Sequence, residues 1–244
     1  MTEHDDPHQQ ETLQRDASDD SAPLQRDRAQ AGSAEIEIKP KLRGVIHQYS
    51  FFVALLLGPL MVWQTDSAEQ RFATTIYSLS LALLLGTSAV YHRVNWDETM
   101  RPWMRRLDHT MIFVLIAGTY TPFVYTEVSP SIGSLVLSVA WGSVLLGAII
   151  KLAWPTAPKW LSTLVYLSLG WVGVFLLPHL IETWGWSAVS WIVAGGALYT
   201  IGALAYAFKR PNIVQGVFGY HEVFHTFVVF AAACHYHAVA VVSW

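Results

Sequence analysis

The sequence predicts an all-α membrane protein: a seven-transmembrane helix bundle with its N-terminus in the cytoplasm and its C-terminus outside. Three observations carry this. The chain of 244 residues is 53% hydrophobic and only 14% charged. From Val45 onward its apolar runs have the length of about 20 residues that a hydrocarbon core requires of a helix. Its lysines and arginines alternate in phase with those runs, as they do where positive charge is retained in the cytoplasm.

Residues 1–38 come first and differ in kind. They hold ten acids (Glu3, Asp5, Asp6, Glu11, Asp16, Asp19, Asp20, Asp27, Glu35, Glu37) against three bases (Arg15, Arg26, Arg28), with no aromatic residue and no sustained apolar period. Such a segment cannot bury enough surface to offset the entropy of ordering, so a disordered acidic cytoplasmic tail is expected, followed by a transmembrane domain over 39–244. The tail also lacks a basic start followed by a short apolar core and a small-residue cleavage site, so no cleavable signal peptide is expected.

The spans follow at approximately 45–63, 72–92, 107–126, 132–151, 160–180, 186–208 and 217–243. Between them lie turn and interface residues such as Asp66, Pro130, Pro155, Pro158, Gly185 and Pro211, and many spans carry Trp or Tyr near an end, as the headgroup belt favours. Of the fifteen bases, six precede the first span (Arg15, Arg26, Arg28, Lys39, Lys41, Arg43). Arg93, Arg101, Arg105 and Arg106 follow the second, Lys151 and Lys159 the fourth, Lys209 and Arg210 the sixth. Only Arg71 falls on the other side. A missed or invented span would throw the later basic loops onto the wrong side, so the charges also support the count of seven.

Within this frame several ionisable residues sit where an unpaired polar group costs several kcal/mol. His92 closes the second span, Asp108 opens the third, and His221 and His225 lie in the first part of the seventh, all in the cytoplasmic half. His221 and His225 are four residues apart and share one helix face, a spacing at which two imidazoles can bind one zinc ion. His92 could supply a third nitrogen. Three His ligands leave a fourth position for water, the pattern of a catalytic rather than a structural zinc site, and zinc lowers the pKa of such a water toward neutrality. Asp108 is a candidate for orienting a ligand or the water, or for general base work; its structural alternative is an ion pair with Arg105 or Arg106. Ser88, one turn before His92, could donate to a developing oxyanion, or simply bond back to a helix carbonyl.

The other histidines carry less weight. His47 is near the start of the first span, His109 points about 100° away from Asp108 on a helix, and His179 is at the outer end of the fifth span. His235 is about 15 Å along the helix from His225, too far to share its metal; it and His237 read as outer-interface residues. The single Cys234 excludes an intramolecular disulfide and leaves metal chemistry to His and carboxylates.

The runs Ser88-Ala-Val-Tyr-His92, Arg105-Arg-Leu-Asp108-His with Gly118-Thr-Tyr-Thr-Pro122 behind it, and Tyr220-His221-Glu-Val-Phe-His225 followed by Cys234-His235 resemble the hemolysin III family, the bacterial branch of the progestin and adipoQ receptor group. Lys39-Pro-Lys-Leu-Arg-Gly44 is similar to part of that branch, and the likeness covers roughly residues 39–244. The resemblance implies a multi-pass protein of the bacterial plasma (inner) membrane holding an intramembrane zinc. Its ligands would be His92, His221 and His225, with Asp108 and Ser88 beside the metal-bound water. Adiponectin receptors and alkaline ceramidases share this arrangement, and the implied chemistry is hydrolysis of a lipid amide such as ceramide. The alternatives are a cytolytic membrane protein, as the family name suggests, and a receptor or sensor in which zinc only braces the helices. A membrane lipid is the expected partner, as substrate or ligand, and no nucleic acid is expected. The oligomeric state is left open.

Overall fold

The computed structural model describes residues 40–125, 129–154 and 159–244, and among them the fold is all helical. The expected acidic tail over 1–38 lies outside the described residues. In chain order the helices are α1 (Val45–Gln64), α2 (Ala68–Arg93), α3 (Met100–Val124), α4 (Pro130–Ala153), α5 (Lys159–Trp171), α6 (Leu177–Phe208) and α7 (Tyr220–Ser243), with a 3₁₀ segment, Val172–Leu176, between α5 and α6. An isolated antiparallel bridge, Val214 to Phe218, shapes the turn before α7.

Local chemistry explains the helix starts. The Ser67 hydroxyl accepts from the Gln70 amide (3.0 Å) and caps α2. The Asp97 carboxylate accepts from the Thr99 and Met100 amides (2.9 and 2.7 Å) and so sets the start of α3. Each satisfies a donor that the first turn would leave unpaired. Helix α3 therefore begins at Met100, ahead of the expected 107, because its first turns are basic and hydropathy does not register them. Pro130 starts α4, where its missing N–H costs nothing.

Among the described residues, six helical stretches are long and apolar enough to cross a membrane; one of them, Trp160–Phe208, runs for 49 residues. The fifth and sixth expected spans both fall within it. The regular helix expected over 160–180 gives way to the 3₁₀ segment, and α6 is kinked at Gly185, whose φ of 72° and ψ of 177° are not helical. The 3₁₀ segment has a tertiary cause. The Tyr120 hydroxyl on α3 donates toward the carbonyls of Leu169 and Gly170 (2.8 and 2.6 Å) and accepts from the Gly173 amide (3.0 Å), serving backbone groups that a continuous helix would have paired internally.

Large apolar side chains point outward along the bundle. Leu56 and Trp63 on α1 are 75% and 77% exposed, and Phe175 on the 3₁₀ segment 73%. A surface of this kind is stable only against lipid, and the chain is a multi-pass membrane protein. Inside, α7 lies along α6 and also touches α1, α2 and α3. Ala231, Ala238 and Val239 on α7 are fully buried, small enough to let neighbouring backbones approach. Polar side chains tie α7 in place: Tyr77 on α2 donates to the Ala232 carbonyl (3.4 Å), and Tyr236 donates to that of Leu57 on α1 (2.9 Å). His235 holds the Ile192 carbonyl on α6 (3.2 Å). His235 is thus a tie between α6 and α7 rather than an interfacial residue, whereas His237 is exposed with its ring against Trp191.

Candidate metal centre

The contact of α7 with α2 and α3 decides where the polar residues meet. His92 is in the last turn of α2 and His221 and His225 are in the first two turns of α7, so both ends of the cluster belong to one end of the bundle. One ring nitrogen from each of the three lies within 4.8 Å of the others. The Nε2 atoms of His92 and His221 are 3.2 Å apart. Two nitrogens each 2.0–2.1 Å from a tetrahedral zinc would stand about 3.3–3.4 Å apart, so this pair already has the bite of a chelate. His92 and His225 are buried and His221 is partly so. Three imidazoles from two helices, with no carboxylate among them, suit zinc as a donor set.

Asp108 on α3 is linked to α2 through Ser88. The Ser88 hydroxyl, buried and one turn before His92 on α2, donates to the Asp108 carboxylate across the α2–α3 contact. Asp108 Oδ2 also lies 3.6 Å from His109 Nδ1. Neither Arg105 nor Arg106 forms an ion pair with Asp108 among the described residues; Arg106 stacks its guanidinium on Trp103 instead, 4.6 Å from the ring centre.

Other participants carry no local signal in the sequence. The His47 ring on α1 stacks on that of His225, with centroids 3.9 Å apart and planes 4° from parallel. Tyr91 and Tyr206 flank the cluster, their rings 4.5 Å from that of His92 and 5.4 Å from that of His221. Arg43 forms an ion pair with Glu222, which is 1% exposed, and the second Glu222 oxygen accepts from the Gly219 amide at 2.9 Å. Glu222 is the third residue of α7, where a carboxylate that reaches back to the N-cap amide closes half of a capping box. Its partner in the ion pair lies 179 positions away in the sequence.

The segment before α1 is bonded to the turn that precedes α7. The Lys41 and Leu42 amides bond to the carbonyls of Gly216 and Val217 (3.2 and 3.4 Å), and Gly44, at φ 79°, turns the chain into α1 directly against α2. A Cβ on Gly44 would lie 2.6 Å from Cβ of His92. Gly44→Ala therefore meets both a left-handed backbone, costing roughly 1–3 kcal/mol, and a clash with the residue before Arg93. It is expected to lower the melting temperature in detergent. A variant that melts as wild type would contradict this contact.

A model of haemolysin-III-related proteins matches residues 37–236. The chain belongs to the haemolysin-III-related family. Its relatives include a hemolysin-3 homolog of Bacillus subtilis (strain 168), 30% identical over 173 residues, which are 71% of this chain and 78% of that protein. Hemolysin-3 of Bacillus cereus is 29% identical over 180 residues, 74% and 79% of the two chains. The adiponectin receptor protein of Drosophila melanogaster is 27% identical over 192 residues, 70% of this chain and 43% of the receptor. The matched family segment contains Gly44, His47, Ser88, His92, Asp108, His221 and His225, so the whole cluster lies within what this haemolysin-III-related chain shares with the family.

Proposed function

We propose that this haemolysin-III-related protein is a zinc-dependent hydrolase of a membrane lipid amide, with ceramide as the representative substrate. The observation that carries the reading is the convergence of the three histidine nitrogens within 4.8 Å, on helices whose outer faces are apolar. Bound there by His92, His221 and His225, zinc would supply Lewis acidity and an activated water at the depth of a lipid's amide bond. Three protein ligands, rather than four, would be the set that hydrolytic zinc sites use.

The chain's own residues have distinct parts. His92 anchors the α2 side, and the His221–His225 pair anchors α7 with the fixed spacing of one helical turn. The Asp108 carboxylate, oriented by the Ser88 hydroxyl, holds the proton taken from water and delivers it to the leaving nitrogen. The tyrosine rings of Tyr91 and Tyr206 wall the cluster and limit its exchange with bulk water. The fold reading extends with it. A continuous 49-residue helix would be about 74 Å long, more than twice the hydrocarbon thickness, so we read Trp160–Phe208 as two crossings folded at Gly185, which makes seven in all. The Lys and Arg asymmetry then supports a cytoplasmic N-terminus and a cytoplasmic metal centre.

The test is hydrolysis of a fluorescent ceramide in mixed micelles by the detergent-purified protein, with zinc measured on the same sample. Wild type should release fatty acid. Asp108→Asn should retain zinc and fold while turnover falls by about 10²–10⁴-fold, the usual weight of a positioned acid–base group. If Asp108→Asn turns over as fast as wild type, the assigned part of Asp108 is wrong. If zinc-loaded wild type cleaves no lipid amide, the hydrolase reading fails. Leakage of dye from liposomes in a zinc-free His221→Ala protein would favour the cytolytic alternative.

A further inference from the structure

Resting on the metal reading above, we propose that His47 is a positioning residue of the centre: the flat face against which the His225 ring is held so that its nitrogen meets those of His92 and His221. His225 lies two turns into α7, one turn beyond His221, and its ring is joined to the cluster from two sides. On one side are the other two histidines, with centroids 5.0 Å (His92) and 4.6 Å (His221) away at steep angles. On the other is His47, parallel and in van der Waals contact at 3.9 Å. Rotation of the His225 ring about its Cβ–Cγ bond would break the parallel stack and swing its nitrogen away from the other two.

The geometry argues that His47 acts by its face and not as a fourth ligand. The lone pair of an imidazole nitrogen lies in the ring plane, and a metal held by His225 lies in the plane of that ring. The His47 plane is displaced from it and parallel, so the same ion cannot lie in both planes. Neither His47 nitrogen has a hydrogen bond of normal geometry, although one faces the His225 backbone. With His47 only 2% exposed, the contact of the ring face is what ties it to the centre. A neutral aromatic face also favours a ring that gains positive character on binding a cation.

His47 is itself held in place. It sits three residues after Gly44, whose backbone abuts His92, and the chain before it is bonded to Gly216, Val217 and Glu222. Helix α1 thereby carries an orienting group to a centre whose ligands all come from α2 and α7.

The experiment uses full-length protein in detergent with His47→Ala, His47→Leu and His47→Phe. Zinc affinity is read by competition with a chromogenic chelator, ligand geometry by the visible absorption of the Co²⁺-loaded protein, and folding by the metal-free melting temperature. Loss of an orienting partner typically lowers metal affinity about 10–100-fold. That loss is expected in His47→Ala and His47→Leu, with an altered Co²⁺ band, and most of it should be restored in His47→Phe, which keeps a flat face without a ligand atom. His47→Leu retains the volume, so it answers the question if His47→Ala does not fold. Wild-type affinity in the leucine variant overturns the proposal, as does a folded phenylalanine variant as weak as the leucine one. A wild type that binds no zinc would instead remove the reading on which the proposal rests.

Discussion

Replacing His221 and His225 together by alanine is expected to abolish zinc binding, taking the metal content of the purified protein from about one ion per chain, the content of a mononuclear three-His centre, to background. The two residues supply two of three nitrogens and all of the α7 contribution, so the variant keeps a single imidazole, His92, and no chelate. Elemental analysis of fresh protein reads the result directly. A second readout follows from linkage. Zinc at about 100 times its dissociation constant should stabilise wild type by about 2.7 kcal/mol, and the same addition should leave the melting curve of the double variant unmoved. Metal content that survives in the double variant would place the ion elsewhere; a metal-free wild type would reduce the three histidines to polar packing. His92→Ala should give the same loss by a different route, since it removes the α2 arm and leaves two ligands on one helix.

How much of this was legible in the sequence depends on the range over which each feature is determined. Helices α1, α2, α4 and α7 begin and end within a few residues of the ranges that hydropathy and turn residues suggest, because a membrane helix is set by local composition and length. Gly185 was legible as a break for the same reason. The 3₁₀ segment at Val172–Leu176 was not, since its cause is a hydroxyl on Tyr120 some fifty positions earlier. In the candidate centre, the spacing of His221 and His225 announces a shared face, and charge alternation brings His92 and Asp108 to the same depth. The link from Ser88 to Asp108 needed only that agreement in depth. His47 could not be found this way: a single histidine near a helix start has no period, and its meaning comes from a stacking partner 178 residues away. Arg43 was counted among the bases that orient the chain, which says nothing of a buried acid at the start of α7.

That acid carries the second large effect. Arg43→Ala is expected to destabilise the fold by about 1–3 kcal/mol, because removing the partly exposed member of this ion pair leaves the buried Glu222 carboxylate without its countercharge. Glu222 is 1% exposed, and its remaining partner is the Gly219 amide, which does not neutralise it. The consequence reaches the candidate metal centre, since Glu222 adjoins His221 and the pair fastens the segment before α1 to the start of α7. Zinc affinity should therefore fall in Arg43→Ala although no ligand is touched. Glu222→Gln separates charge from structure: an amide can still accept from Gly219, and in the double variant Arg43→Ala/Glu222→Gln no buried charge is stranded. Melting temperatures of the two single variants and the double one in detergent close a thermodynamic cycle, in which the double variant should be more stable than Arg43→Ala alone. If Arg43→Ala melts and binds zinc as wild type does, the pair is incidental. The start of α7 must then be held by the backbone bonds from Lys41 and Leu42 to the preceding turn.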